Sequence, residues 1–552
     1  MHRPSLIVRL IQRVVLLGLP LAVVMALPAG GSTPHTTDLG RLLPSLSQSV
    51  QLRYWLANPD QAPPGLREQL RALRRSAAAG ATHAPGGLAP RGPGILGDVF
   101  NRDTTGLPQD EESVAVCHAN PRVVLGATND FRGVVLDPQH NLTGWHLSTD
   151  GGVTVANEGL LPALPIGANP GASSGDPVVA ADGRCDLFAG SLNGVGEDLF
   201  ALPDGVGVYR SAPGTLASCP GGSDPACWPT RRVVATATPG HILDKPWLDV
   251  GPSGAAGTVV WAVFNDLSLS PNGIEQGSLK AVRCDAALTR CTPPLLLSGS
   301  EPFAVEGDVT IGPDGRVYVT WSDVVGLSNP TPSAPHIIFK LRVAEPGQTT
   351  FGPDRVVAVE PLPAPPRLHA DDFRIPPYGK NAVRIVGGRP RVFLTWEGCR
   401  AKATAADACE EPAIKLVHSD DLGATWSGVQ VLSVGGDNYF PTIANDPAGP
   451  GLAVAWYTNR FDPQWHHRQD LELVTLNPAS ATPSKRQRVT ATSNEPDADP
   501  VAGGVFIGDY IEVAAHGGVA YLHYTMNYRR ETVLGAGLPV NQQDNYLSRR
   551  HL

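Results

Sequence analysis

Beyond Leu27 the sequence contains no apolar run long enough to cross a bilayer. It also lacks a basic surplus. The 43 Lys and Arg stand against 52 Asp and Glu, a net charge of −9, so the cationic footprint of a nucleic-acid binder is missing. The one cation-rich run, Arg67 to Arg75, reads as the solvated face of a short helix. No C-x-x-C occurs and the histidines are scattered, which argues against a zinc site. Nucleophile-elbow, P-loop and dinucleotide fingerprints are absent too, and no cofactor or metal is expected. Charge is scarce, at 17% of residues against 42% hydrophobic, which leaves ample material for a large core.

Glycine (60) and proline (53) are abundant, as many short strands joined by many turns require. Arg3, Arg9 and Arg13 precede the apolar run Val14 to Leu27, and Ala29-Gly30-Gly31-Ser32 follows. That order reads as a secretory signal over 1–31, with an uncleaved N-terminal anchor as the alternative. Secretion agrees with an even set of eight cysteines. Cys219/Cys227, Cys284/Cys291 and Cys399/Cys409 are close enough in sequence for local bridges, which leaves Cys117 with Cys185. Residues 32–95 form a second unit, with helical leucine spacing (Leu39, Leu42, Leu43, Leu46, then Leu66, Leu70, Leu73) and a Pro/Gly linker.

From about residue 96 one pattern repeats seven times: an apolar strand, a tight turn, then a second apolar strand often ending in an aromatic residue. The copies span 113–128, 176–191, 245–264, 308–321, 381–396, 440–456 and 509–524. Their turns are marked by Asn120, Gly183, Gly254, Gly315, Gly388, Gly449 and Gly518, in steps of 61 to 73 residues. Radial repetition of small sheets follows, so 96–552 is expected to be an all-β propeller of seven blades, with six as the alternative count. Cys117 and Cys185 then fall on the inner turns of adjacent blades. The last repeat is one strand short, and a segment near 97–101 could supply it and close the ring.

Ser419-Asp420-Asp421-Leu422-Gly423-Ala424-Thr425-Trp426 has the chemistry of a tight hairpin. Its Ser and Asp accept the turn's own N–H groups, Gly takes positive φ, and Trp packs over the turn. Ser148-Thr149-Asp150-Gly151-Gly152-Val153-Thr154-Val155 is a second copy with Val in place of Trp. These octapeptides resemble the Asp-box of the sialidase superfamily. Lys280 to Cys284 stands in register with Lys415 to Ser419. A cystine Cys284–Cys291 is therefore expected to substitute for the polar clasp, at roughly 2–3 kcal/mol.

The resemblance implies an exported glycoside hydrolase of exo-sialidase character acting on terminal acidic sugars of a glycan or glycoprotein. In such enzymes arginines hold the sugar carboxylate, a Tyr with a Glu partner is the nucleophile, and an Asp is the acid/base. Phe373-Arg374-Ile375-Pro376 matches the motif of the family's first arginine, although it leads into the fifth repeat. Substrate binding is expected of Arg374, of Arg460 just past an inner strand, and of Tyr439 and Lys245 at non-repeating strand entries. Catalysis is expected of Asp244 and Glu306 at such entries, and of Tyr510 and Glu512, whose spacing on one strand suits the resemblance's Tyr/Glu pair. Asp176, Asp308 and Asp509 begin equivalent strands in this register and read as structural. Trp261, Trp321, Trp396 and Trp456 read as blade packing, and His466-His467 beside Trp465 and Asp462 reads as a solvated loop, with a metal or sugar contact as the alternative. The second hypothesis is a non-catalytic propeller that binds glycan or protein at its channel mouth.

Overall fold

The computed structural model describes residues 98–552 apart from 195–202, 271–272, 300–302, 326–335, 362–367, 369, 372, 377, 401–410, 503–505 and 536–537, together with 55, 58–62, 67, 70 and 71. The expected signal, Cys409 and most of the helical segment lie outside the described residues. Ala62 and Leu70 are described, and both are buried beside Phe131, Val134, Leu142, Phe506 and Leu534.

Seven antiparallel sheets follow one another along the chain as the blades of a β-propeller. The inner strands, in blade order, are Gln109–Val116, Val178–Ala181, His241–Pro252, Ala304–Ile311, Gly379–Val386, Asn438–Asn445 and Glu512–His516. Each is followed by a turn carrying the marker residue read from the sequence, then by a second strand. The seven repeats and the seven blades therefore coincide. Six blades have four strands. In blade 2 the inner strand is broken into Ala172–Ser173 and Val178–Ala181, both paired with Leu187–Gly194. Within the propeller, helix among the described residues is confined to Phe131–Leu136, Pro213–Ser218 and short 3-10 turns; Trp55, Arg67, Leu70 and Arg71 before it are helical as well.

Blade 7 runs Glu512–His516, Val519–Met526, Asp544–His551, and its outermost strand is Asp98–Val99 from the start of the propeller. Asp98 pairs with Leu547 and Val99 with Tyr546. Asn101 ties the join by donating from Nδ2 to Gln109 (2.8 Å) and to Asp544. Closing the ring across the chain ends leaves no blade with an unmatched partner and protects the edge strands from pairing with other chains.

Between the blades the core is aromatic and aliphatic. Trp261, Trp321, Trp396 and Trp456 are fully buried on the second strands of blades 3 to 6, and Trp145 on the third strand of blade 1. Large rings at matching radii fill the space between twisted sheets, so these indoles pack the blades and offer no platform to a sugar.

The octapeptide hairpins join third and fourth strands and share one hydrogen-bond pattern. Asp421 accepts from Ser419 Oγ (2.8 Å), Thr425 N (2.8 Å) and Thr425 Oγ1 (2.6 Å), while Gly423 N donates to Ser419 Oγ (2.7 Å). Asp150 repeats this with Ser148, Thr154 N and Thr154 Oγ1. Gly423, at φ 85°, is the residue that lets the chain turn under the clasp. The Cys284–Cys291 bridge forms at the same place in blade 3. It does not replace the polar clasp, however: Asp285 accepts from Thr289 N (2.8 Å) and Thr289 Oγ1 (2.7 Å) inside the bridged turn. Disulfide and carboxylate clasp the same hairpin together.

Cys117–Cys185 joins the inner hairpins of blades 1 and 2, and Cys219–Cys227 staples the loop between the outer strands of blade 2. Cys399 is disulfide-bonded as well.

Two stability measurements follow. Asp421→Ala deletes three accepted hydrogen bonds in a largely exposed turn and should lower unfolding free energy by about 1 kcal/mol, read by urea titration; an unchanged midpoint would show that the clasp is idle. Replacing Cys117 and Cys185 together by Ala opens a closed loop of 68 residues and should cost about 2–4 kcal/mol. A larger loss from removing Cys219–Cys227 would contradict the loop-closure account.

Candidate functional site

Where the inner strands begin, four of them carry a β-bulge, between Asp110 and Ser113, Asp244 and Trp247, Val305 and Asp308, and Tyr439 and Thr442. The bulged residues Glu111, Lys245, Glu306 and Phe440 have φ of 59°, 48°, 59° and 53°, and Asp176 in blade 2 has 52°. A left-handed non-glycine residue costs on the order of 1 kcal/mol or more, and five at equivalent positions mark a feature of the fold. Four of the five carry ionisable side chains. This corrects the register read from sequence: Asp176 is equivalent to Glu111, Lys245 and Glu306, whereas Asp308 lies two residues further on, inside its strand.

The bulges bring charge from separate blades together across the axis. Lys245 Nζ of blade 3 lies 2.5 Å from Asp509 Oδ2, 3.5 Å from Asp176 Oδ2 and 3.6 Å from Glu111 Oε1. Asp509, just before blade 7, also receives Arg374 through Nε (2.9 Å) and its terminal nitrogen (2.5 Å), a two-point guanidinium–carboxylate pair. Asp244 hydrogen-bonds Asp176. The carboxylates and Lys245 are 0–8% exposed, while the Arg374 side chain is 23% exposed and is the most accessible member.

Burial opposes ionisation of Asp509, Glu306, Asp244 and Glu111, and the cations decide which of these four ionises anyway. Asp509, with Arg374 and Lys245 on it, is held well below the usual carboxylate range despite its burial. Glu306 is pushed up to about 8, first by burial and then by the Asp509 charge. Asp244 is pushed up to about 8 by burial and by Asp176, and Glu111 is raised well above its ordinary value, chiefly by burial. At neutral pH ionised Asp509 therefore stands beside Glu306 and Asp244, which hold their protons to higher pH. Glu306 Oε2 and Glu111 Oε1 are buried and make no hydrogen bond.

Three aromatic rings back the cluster. Tyr510 packs edge-on against Trp247 (5.3 Å between centroids) and Tyr378 (6.0 Å). Lys380 Nζ sits 2.9 Å from the Trp247 ring centroid and 3.8 Å from Asp308 Oδ1. Burial lowers its pKa to about 8. Beyond these groups the axial channel is a hollow of about 410 Å3 lined by all seven inner strands. It reaches the turn residues Gly183, Pro313 and Pro447, at the opposite end from the ionic cluster. The hollow is itself lined by Asp249, Asp308 and Glu512, all raised above the ordinary carboxylate value chiefly by burial, while the Lys245–Asp509 cluster lies at the strand starts.

Of the residues singled out in the sequence, Lys245, Asp244, Glu306, Arg374 and Tyr510 meet at this end. Arg374 and Tyr510 share one side of the ring. Tyr510 nonetheless spends its hydroxyl on the Pro177 carbonyl (2.9 Å). Its expected partner Glu512 accepts from Ser113 Oγ and from Val114 N (2.8 Å), bridging blades 7 and 1 away from that hydroxyl. Arg460 is engaged by Glu472 within blade 6 and lies over the Phe461 ring. Tyr439 is buried in the core of that blade with its hydroxyl on Gln469 (2.9 Å). Neither Arg460 nor Tyr439 joins the cluster, because each strand position beside it is already filled by a partner in its own blade. Sequence reasoning passed over Glu111, Tyr378 and Lys380, and it set Asp176 and Asp509 aside as structural. The usable signal was local: an acidic or basic residue, then Pro, Gly or Glu, two or three residues before the first apolar residue of a repeat.

No protein-family model matches the sequence, and no curated protein matches it. Among solved structures, a Hadza microbial sialidase superposes with a TM-score of 0.40 at 12% identity over 74% of each chain. The phage phi92 endosialidase gives 0.41 at 12% identity, over 83% of this chain and 70% of its own. An alpha-L-arabinanase of Penicillium chrysogenum complexed with arabinobiose gives 0.33 at 11% identity, over 55% and 92%. Likenesses this distant settle neither substrate nor mechanism; the propeller is established by its own strands.

The raised pKa of Glu306 has a measurable sign. The folded protein keeps a proton on this acid up to about 8, against an ordinary value of 4.5. Its contribution to stability is complete below the unfolded value and is lost as pH rises towards the folded one. The unfolding free energy of the wild type relative to Glu306→Gln should therefore fall across that interval. Urea titrations at several pH values check this, and a flat difference would remove the buried acid.

Proposed function

We propose that the axial cluster is the active site of an exported glycoside hydrolase that works through carboxyl groups. The observation that carries the reading is the pairing of ionised Asp509 with protonated Glu306 and Asp244 in one sheltered cluster. Glycosidases need that division of labour, a carboxylic acid to protonate the leaving oxygen and a carboxylate to stabilise or attack the anomeric centre. Glu306, with an unbonded carboxyl oxygen, is suited to the acid role, and Asp509 to the carboxylate role. Lys245 and Arg374 hold Asp509 ionised and fix its orientation. The disulfides support export, since such bridges persist in oxidising compartments.

The sialidase-like version, in which an acidic sugar is held by arginines and attacked by a tyrosine, has less support. Arg374 is already matched by Asp509, so a sugar carboxylate would have to displace it, and the other acids repel an anion. Tyr510 has no proton acceptor but a peptide carbonyl. We therefore assign an uncharged sugar as substrate. The alternative, a propeller that binds glycan without cleaving it, is favoured by the near-complete burial of the carboxylates.

A panel of fluorogenic glycosides separates these readings. Turnover of an uncharged glycoside, reduced 10²–10⁴-fold in Glu306→Gln and in Asp509→Asn, supports the proposal. Turnover of a sialoside alone restores the acidic-sugar reading. Glycan binding without turnover of any glycoside leaves the binding module.

A further inference from the structure

The His466-His467 pair, which the axial chemistry does not use, lies in the loop between the second and third strands of blade 6. The loop is fixed by its neighbours. Asn459 Nδ2 donates to the His466 carbonyl (2.7 Å), and the Asp462 carboxylate accepts from Arg468 N (3.1 Å). Gln469 and Asn494 exchange backbone hydrogen bonds of 2.8 Å, clamping the loop to the segment that leads towards blade 7. The clamp delivers His467 to three carboxylates from two other segments. Its Nδ1 is 2.7 Å from Asp371 Oδ1, and its Nε2 is 3.0 Å from Glu495 Oε2 and 3.2 Å from Asp497 Oδ1.

The two sides of the imidazole differ. Asp371 is 3% exposed at its side chain, while Glu495 and Asp497 are half exposed. A buried carboxylate oxygen 2.7 Å from Nδ1, with Nε2 turned towards the exposed acids, is the placement of a carboxylate–histidine–metal arrangement. The outward nitrogen and the two exposed carboxylate oxygens all lie within 4.8 Å of one another. A tetrahedral ion with bonds of about 2.0–2.1 Å sets its ligands roughly 3.3 Å apart, close to the observed 3.0 and 3.2 Å. The solvent side leaves the fourth position open.

We propose that His467, Glu495 and Asp497 form a zinc-class divalent metal site, with Asp371 as the residue that orients the histidine. An imidazole in the set selects transition ions over calcium or magnesium, which take all-oxygen shells. The bound ion joins the loop of blade 6 to the segment before blade 7, and through Asp371 on His467 the segment before blade 5 is held as well. Asp371 stands three residues from Arg374, so the ion would brace the chain that carries the one accessible cation of the axial cluster. The site stands independently of the glycosidase reading, because metal binding is measured without turnover.

The test uses full-length protein stripped with EDTA and titrated with zinc chloride by calorimetry, with calcium chloride in parallel. One equivalent of zinc should bind, more tightly than calcium. His467→Ala should abolish binding, and Asp371→Asn should weaken it 10–100-fold. Should His467→Ala fail to fold, the double variant E495Q/D497N removes two ligands at exposed positions and should also lose the zinc. Absence of zinc binding to the wild type, binding that survives E495Q/D497N, or a preference for calcium would each overturn the proposal.

Discussion

Closure of the ring is the constraint on which the molecule depends. Each blade presents one face to the next, and a radial array is stable only when the last blade also finds a neighbour. Two residues from the start of the propeller, Asp98 and Val99, complete the seventh sheet. Asn101 then anchors the join to Gln109 and Asp544. With the ring closed, seven inner strands must converge on one axis, and whatever precedes them is forced into a small volume.

That forced convergence explains the ionic cluster. Lys245 meets acids from blades 1, 2 and 7, contacts that a stack of sheets without closure could not make. Burying so many acids is unfavourable unless some are paired and others protonated. The structure does both: Asp509 carries the charge between two cations, and Glu306 and Asp244 keep their protons. The left-handed bulges are the local strain that aims these side chains. Five left-handed non-glycine residues stand at equivalent strand starts at this end of the axis.

The outer rim is governed by a different economy. Hairpins between third and fourth strands lie far from the axis and have little apolar burial of their own, so they are held by clasps. Two use Ser, Asp and Thr, and the third adds a cystine to the same Asp–Thr bond. Carboxylate acceptance of backbone N–H and a covalent bridge solve the same problem through enthalpy and chain entropy respectively. Nothing in that geometry excludes using both at once, as blade 3 does.

The sequence by itself determined whatever depends on near neighbours. Alternating apolar strands, the seven turn markers, the hairpin clasps, the bridge Cys117–Cys185 and the strand that closes the ring were all legible. Each rests on periodicity or on a motif within a few residues, together with the repeat count. The fully buried indoles were legible for the same reason. What only the tertiary structure decided is which charged residues meet. Tyr510 and Glu512 are two apart in sequence, yet one bonds blade 2 and the other blade 1. Arg374 and Asp509 are 135 residues apart and form a two-point pair. A one-residue bulge reverses where a side chain points, and partners across the axis come from blades that share no sequence spacing. Radial closure sets those distances, and no pattern along the chain records them.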